Sequence, residues 1–306
     1  MELRSWALIA FTILAQMSAG SFLVLGIVHY FAARKAGMEE ADRLSDRALL
    51  VIILTLGLGL IASLFHLGDP FRAYRAVTNI GTSWLSREVL SGVSFVVLGA
   101  VFAFMQWRKI ASFAVRNVIA WIAALVGLVL VFNMSRIYMI PTQPAWNTLA
   151  TPILFYTTTL LLGSLAVGAA FVTNYAIVTR KEPACADAQC TLMRDALRWI
   201  AIATVVLLGV ELVVLPLYAA YLVGAGPQAA ESASMLVRSY GVVFALRLIL
   251  AFVGAGVFGL FLYQNAVSPG HEKVMGNLAY GAFALVLVAE VLGRFLFYAT
   301  QVQIVV

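Results

Sequence analysis

The amino-acid sequence predicts an all-α integral membrane protein, a bundle of eight transmembrane helices with little mass outside the bilayer. Of its 306 residues, 63% are hydrophobic and only 11% are charged, against roughly a quarter charged in an ordinary soluble domain. Apolar runs that reach the length of a membrane-spanning helix, about 20 residues, recur along the whole chain. We therefore expect one transmembrane domain over residues 1–306 and no separate soluble domain.

The ends of the first spans can be placed from individual residues. The first span follows a single basic residue, Arg4, and is too long for a cleaved signal, so we expect a retained helix. The second span ends near His66, because Gly68 can leave helical geometry and Pro70 cannot continue a helix. The third span begins close to Ser86, after a connection rich in arginine.

Later spans are assigned from hydropathy and length. The fifth and sixth are longer than a bilayer requires, so they must tilt, kink or protrude, and Pro216 inside the sixth is the expected kink. The even number of spans places both termini on one side of the membrane. The predicted spans cover residues 6–33, 48–68, 86–107, 115–139, 151–178, 198–223, 240–263 and 274–300.

The basic residues indicate orientation. The net charge is +6, but the Lys and Arg residues lie mainly in short loops between spans, which is typical of insertion signals and not of a nucleic-acid site. Most of them lie in the connections 1–2, 3–4, 5–6 and 7–8, so the positive-inside rule predicts that both termini are non-cytoplasmic. Arg72, Arg75 and Arg87, in the 2–3 connection, depart from this trend.

Several ionisable residues lie within the predicted spans, where a charge is costly unless it is paired or functional. Glu290 and Arg294 are four residues apart on one helix face, which favours a structural pair. Arg247 lies deeper, and Glu211 on the preceding span is its candidate partner. Arg136 lies near the end of a span, where its side chain can snorkel to the headgroups.

His66 and Glu88 suggest a polar pocket. His66 closes the second span and Glu88 re-enters on the third, so both lie near one membrane interface. Such a pocket suits a quinol, because an imidazole that titrates near neutral pH can accept a proton from one hydroxyl and a carboxylate can relay it. The alternative is a capped helix end with a solvated histidine and an Arg–Glu pair, and these two residues alone do not decide between them.

Haem and metal sites are not predicted. A b-type haem in a bundle needs two imidazoles at one depth, whereas His29 and His66 lie at opposite ends of their spans and His271 lies in a loop. Cys185 and Cys190 share one loop at a spacing that lacks the second pair of a zinc or iron–sulfur site.

Four segments of the chain resemble a known family. The segment HLGDPFRAYRAVTNIGTSWLSREVLSG, residues 66–92, is the most specific. Residues 135–152 (SRIYMIPTQPAWNTLATP), 239–250 (SYGVVFALRLIL) and 290–298 (EVLGRFLFY) follow in the same order. Together they resemble the membrane anchor subunit of dimethyl sulfoxide reductase, the DmsC family.

This resemblance implies a haem-free, eight-helix anchor in the cytoplasmic (inner) membrane of a bacterium or archaeon. Such an anchor holds a molybdopterin catalytic subunit and a four-cluster iron–sulfur subunit, and it exchanges electrons with menaquinol or ubiquinol. The resemblance also implies that His66 and Glu88 belong to the quinol site. Arg72, Tyr74 and Ser86 match positions around the same loop and are implied as pocket or docking residues.

The sequence therefore predicts a quinone-reactive anchor that catalyses nothing alone. Its catalytic partner would act on a sulfoxide, sulfite or similar small oxo-compound, and the anchor does not fix the direction of electron flow. Two alternatives remain. One is an ion- or proton-translocating bundle that uses Glu211, Arg247, Glu290 and Arg294, and the other is an inert tether in which His66 has no role in electron transfer.

Overall fold

The computed structural model describes residues 3–66, 78–181 and 186–304. Within these ranges the chain is almost entirely helical and contains no β-strand. Eight helical segments are long and apolar enough to cross a membrane, which confirms the predicted all-α architecture. The helices are α1 (Leu3–Ala36), α2 (Met38–His66), α3 (Trp84–Arg108), α4 (Phe113–Tyr138), α5 (Ala150–Lys181), α6 (Ala186–Gly224), α7 (Pro227–Ser234), α8 (Gly241–Ala251), α9 (Gly259–Val267) and α10 (Glu272–Ala299).

Two helices begin well before the predicted spans. α2 begins at Met38 and α6 at Ala186, so each has polar turns ahead of its apolar stretch. These turns contact each other, since Gln189 Nε2 donates a hydrogen bond to Glu40 Oε2 at 2.7 Å. Hydropathy registers only the apolar part of a helix, and it therefore misses turns that continue beyond the bilayer.

The seventh span, Gly241–Val267, is not a continuous α-helix. Between α8 and α9 it forms a π-helix over Phe252–Phe258, an arrangement that is rare and usually short. The segment packs tightly on α10, because a Cβ atom added to Gly254 would lie 2.8 Å from Val286 Cγ2. No feature of the hydropathy pattern marks this interruption. α6, in contrast, remains helical through Pro216.

α1 and α5 form the centre of the bundle. In the most apolar 18-residue stretch of each of these helices, 67% of the residues are buried inside the bundle, whereas the corresponding share in α3 is 17%. The two helices approach most closely at Gly20 and Gly163, where a Cβ atom on Gly20 would lie 1.9 Å from the carbonyl oxygen of Thr159. Small residues at a helix interface permit this approach in a membrane, so the central contact depends on glycine, which has no side chain, at these two positions.

The outer surface of the bundle is strongly apolar. Leu54, Leu125 and Val242, on three different helices, are 68%, 62% and 85% exposed. A soluble protein would bury side chains of this size, whereas hydrocarbon solvates them. The exposed surface is therefore the lipid-facing one.

The bundle has two ends that differ in composition. Trp6 stacks on Phe295 with ring centroids 5.9 Å apart, so α1 begins where α10 finishes and both termini lie at one end. α2 also finishes there, which makes this the His66 end. At the opposite end, the Gly37 end, Gly37 alone connects α1 to α2 in a left-handed conformation (φ +87°), which favours glycine. That the termini face the non-cytoplasmic side stays a prediction.

Candidate functional site

The predicted quinol pocket lies where α2 finishes and α3 begins. His66 is the last residue of α2, but its side chain falls outside the described part of the structure. Arg72 and Tyr74 also lie outside the described residues. Ser86 and Glu88 lie in the first turns of α3. The structure therefore describes only the residues that α3 and its neighbours contribute to this site.

Glu88 is held in place by the start of α3. Ser83 caps the helix, since its side chain accepts a hydrogen bond from the Ser86 amide at 3.3 Å, and the Ser86 side chain is buried. The Glu88 carboxylate is partly buried and forms no hydrogen bond or ion pair with any residue that the structure describes. It lies within electrostatic reach of the hydroxyl groups of Tyr138 and Tyr298. The carboxylate thus lacks a protein partner among these residues.

Two arginines cover one indole ring beside this carboxylate. The guanidinium carbon of Arg87 lies 4.3 Å from the ring centroid of Trp84, and that of Arg136 lies 5.0 Å from it, both within cation–π range. Arg87 also donates hydrogen bonds to the carbonyl oxygens of Ile80 and Gly81, at 2.9 and 2.8 Å. Arg136 is partly buried, with its Nε buried, and the snorkelling of its guanidinium group to the headgroups stays a prediction.

A cluster of aromatic rings, the aromatic seam, closes the His66 end next to Glu88. Tyr138 and Tyr298 form a hydrogen bond between their hydroxyl groups at 2.7 Å. Trp146 stacks on Phe297 with centroids 5.2 Å apart, and its Nε1 donates to the Phe297 carbonyl oxygen at 2.8 Å. The seam joins the end of α4, the α4–α5 connection and the end of α10. The remaining segment that carries the family resemblance, residues 239–250, reaches the same end, because Tyr240 packs on Phe295 with ring centroids 5.6 Å apart. All four segments therefore meet at this end.

Among the intramembrane charges, the predicted contact between Glu211 and Arg247 is confirmed. Arg247 on α8 donates a hydrogen bond to the Glu211 carboxylate on α6, and both side chains are buried. Gly293 makes room for this pair, because a Cβ atom there would lie 2.5 Å from Arg247 Nε. The ion pair bridges α6 and α8 inside the bundle.

The predicted pair between Glu290 and Arg294 is wrong. Glu290 Oε2 accepts a hydrogen bond from Thr158 on α5 at 2.6 Å. Arg294 Nη2 instead donates to Gln16 Oε1 on α1 at 2.7 Å, and its guanidinium carbon lies 3.8 Å from the centroid of the Phe155 ring. Although the two charges share a helix face, each is closer to a polar group on a neighbouring helix than to the other.

These charges line a pocket at the His66 end, which we call the α6–α8 pocket. Arg247, Glu290 and Arg294 contribute its polar wall. Three of their atoms, Arg247 Nε, Glu290 Oε1 and Arg294 Nε, are buried without a hydrogen-bond partner among the described residues. The other walls are mainly apolar and come from α5, α6, α8, α10 and the short π-helical segment Met235–Ser239 that precedes α8. They include Leu154, Phe155, Leu215, Tyr218, Ala219, Leu236, Phe244 and Phe297.

A separate polar network lies at the Gly37 end. Asp42 accepts hydrogen bonds from Gln106 Nε2 at 2.8 Å and Lys109 Nζ at 2.8 Å, and it contacts His29 Nε2 at 3.0 Å. Asp46 accepts a second hydrogen bond from Gln106, at 2.7 Å. Sequence reasoning missed this network, because Asp42 and Asp46 precede the apolar stretch of α2. The network connects α1, α2 and α3.

The cysteine loop can be described only in part. Cys190 lies 3.4 Å from Glu272 Oε1 through its Sγ, and Cys185 lies outside the described residues. In the part of the chain that the structure describes, no group of three or more His, Cys, Asp or Glu side chains is arranged to hold a metal ion.

Known proteins provide an independent comparison. Residues 1–300 match the family described as DMSO reductase anchor subunit (DmsC). The sequence is 29% identical to a chain of the anaerobic dimethyl sulfoxide reductase of Escherichia coli (strain K12), over 98% of this protein and 96% of that one. It is 28% identical to a chain of the anaerobic dimethyl sulfoxide reductase of Haemophilus influenzae, over 95% and 92% of the two proteins.

A shorter similarity extends to a second type of complex. Over 100 residues the sequence is 38% identical to a subunit of the sulfite dehydrogenase of Allochromatium vinosum, a match that covers 33% of this protein and 30% of that one. The long matches, in contrast, extend through all eight spans.

Proposed function

Because the chain belongs to the family of DMSO reductase anchor subunits (DmsC), we propose that its His66 end is where an oxidoreductase complex exchanges electrons with the quinone pool. The chain is the multi-pass membrane anchor of a complex of the DMSO reductase or sulfite dehydrogenase type. The quinone reaction and the residues that serve it are the proposal.

The observation that carries this proposal is the Glu88 carboxylate. It lies partly buried in the first turns of a transmembrane helix, without a hydrogen-bond or ion-pair partner among the described residues. A carboxylate in such a position is costly unless a ligand or a partner completes it. A quinol hydroxyl is a hydrogen-bond donor that reaches this depth from the bilayer, so it is suited to contact this carboxylate.

The chemistry requires two proton acceptors. Oxidation of a quinol to a quinone releases two electrons and two protons, and the electrons pass to an iron–sulfur cluster of a partner subunit. Glu88 accepts the hydrogen bond of one hydroxyl and receives its proton. His66, which ends the adjacent helix, accepts the other, since an imidazole exchanges protons near neutral pH. Reduction of a quinone uses the same groups in reverse.

The partners follow from the same premise. A four-cluster iron–sulfur subunit and a molybdopterin subunit would dock at the His66 end, because electrons must travel a short distance from the quinol to the nearest cluster. Arg72, Tyr74 and Ser86 would line the pocket or contact the docked subunit. A sulfoxide as the final substrate would draw electrons from menaquinol or ubiquinol, whereas sulfite would deliver them to the quinone.

The test is the rate at which quinol reduces the iron–sulfur clusters of the purified complex. We expect Glu88→Gln and His66→Ala each to slow this rate by about a hundredfold or more, the range in which proton transfer by a positioned group operates. Reduction of the same clusters by dithionite should be unchanged. The matched control is Glu39→Gln, at an exposed position of the Gly37 end, which should leave the quinol rate intact.

Assembly of the complex is measured alongside. If both variants assemble normally and accept electrons from quinol at the native rate, the His66 end is an inert tether and the proposal fails.

A further inference from the structure

We propose that the α6–α8 pocket is a second binding site for the head of a quinol or quinone, separate from the site at His66 and Glu88. The inference rests on the wall of this pocket and on its closeness to the lipid-facing surface. It does not depend on the role of His66 in electron transfer.

The first argument is incomplete hydrogen bonding. Arg247, Glu290 and Arg294 are only 8%, 3% and 6% exposed, and all three line the pocket. Each keeps one polar atom that has no hydrogen-bond partner within residues 3–66, 78–181 and 186–304. Buried polar groups are nearly always hydrogen-bonded, because an unsatisfied one costs free energy. Two donors and one acceptor gathered at one pocket indicate that a polar molecule completes them.

The second argument concerns the charge of that molecule. The pocket is lined by two guanidinium groups and the carboxylate of Glu290. The charge of Arg247 is already balanced by its ion pair with Glu211, which does not line the pocket, so the formal charges of the four groups cancel. A phosphate headgroup would gain from the arginines but would be repelled by the carboxylates. A neutral head that both donates and accepts hydrogen bonds complements the set. The hydroquinone hydroxyl does this, since it can donate to Glu290 and accept from a guanidinium group.

The third argument is shape and access. Phe155, Phe244 and Phe297 line the pocket, and aromatic side chains of this kind can pack against a flat ring. α6 packs along α9 and the π segment, whereas α8 packs along α10, so the pocket lies between two helices with different neighbours. Leu217 and Val242, which neighbour the helices of the pocket in sequence, are 65% and 85% exposed, so the lipid-facing surface of α6 and α8 is close to the pocket, and the proposal is that the head enters from the lipid.

The pocket and Glu88 are different places at the His66 end. Phe297 lines the pocket, whereas Glu88, Tyr138 and Tyr298 are not among its lining residues. Tyr298, the residue after Phe297, instead forms a hydrogen bond with Tyr138. A head bound in the pocket would therefore contact a different set of side chains from a head bound at Glu88.

The test is photolabelling of the full chain, with any subunits that copurify, in nanodiscs of phosphatidylcholine and phosphatidylglycerol. The probe is an azidoquinone, and decylubiquinone is the competitor. We expect competed label on α6, α8 or α10 around the pocket in the native protein. Ala219→Phe fills the pocket and should reduce this label by about tenfold or more, which corresponds to the loss of a favourable contact of about 1.4 kcal/mol.

The control is Ala220→Phe, which places the same ring on the neighbouring, lipid-facing position of α6 and should keep the label. His66→Ala should also keep it, even if the label around residues 66–92 disappears, so failure of the proposed electron-transfer site is distinguishable. The proposal is overturned if no competed label appears at the pocket, if Ala219→Phe retains it, or if native mass spectrometry finds a phospholipid there that decylubiquinone does not displace.

Discussion

The hydroxyl oxygens of Tyr138 and Tyr298 lie 2.7 Å apart, at the point where the end of α4 meets the end of α10. The two residues are far apart in sequence. Each also lies close enough to Glu88 to interact with its carboxylate electrostatically. Their contact fixes the relative position of the helices that flank the proposed quinol site. Removing it should therefore be measurable as a loss of stability.

We expect Tyr138→Phe to lower the free energy of unfolding by about 1 kcal/mol, because it leaves the buried Tyr298 hydroxyl with one partner fewer. The double variant Tyr138→Phe/Tyr298→Phe removes both hydroxyls, so its loss should be smaller than the sum of the two single losses. Thermal unfolding of the protein in detergent measures each value. Strictly additive losses would show that the two hydroxyls do not interact.

The ion pair of Glu211 and Arg247 gives a larger effect. Glu211→Gln leaves a buried guanidinium group without its counter-charge, which should cost about 3–5 kcal/mol and strongly reduce the yield of monodisperse protein in size-exclusion chromatography. The double variant Glu211→Leu/Arg247→Leu removes both charges and should recover part of that yield. A native yield from Glu211→Gln alone would mean that the pair does not stabilise the bundle.

Gly20 tests the central helix contact. Gly20→Ala places a methyl group where the carbonyl oxygen of Thr159 would be 1.9 Å away, so α1 and α5 must separate, at a cost of about 1–3 kcal/mol. Gly26→Ala on the same helix is the matched control, because nothing lies within 4 Å of its added Cβ atom. A drop in the unfolding temperature is expected for Gly20→Ala alone, and equal temperatures for the two variants would contradict the close approach.

Orientation can be measured by cysteine labelling in spheroplasts. With the native cysteines replaced by serine, Asn147→Cys reports on the His66 end and Ser268→Cys on the Gly37 end, and both positions are exposed. The positive-inside rule predicts that a membrane-impermeant maleimide labels Asn147→Cys in intact spheroplasts but Ser268→Cys only after lysis. The reverse pattern would place both termini in the cytoplasm.

The number and type of the helices could be predicted, because transmembrane spans depend on local apolar length. What hydropathy missed depends on contacts between helices. The polar first turns of α2 are stabilised by Gln189 on α6, and the π segment packs on Val286 of α10. Neither contact can be read from a local window of the sequence.

In the candidate site too, local sequence features could be predicted, whereas contacts between helices could not. The spacing of His66 and Glu88 predicts that both lie at one interface, and the start of α3 places Glu88 as expected. Helix periodicity correctly puts Glu290 and Arg294 on one face, but it does not show that Thr158 and Gln16 compete for them. The α6–α8 pocket could not be predicted at all, because its walls come from segments that are distant in sequence.

Gly37 has a consequence for how the first two helices cross the membrane. A single residue between α1 and α2 makes them an antiparallel helical hairpin, so the two helices run through the bilayer in opposite directions. The direction taken by α1 therefore dictates that of α2.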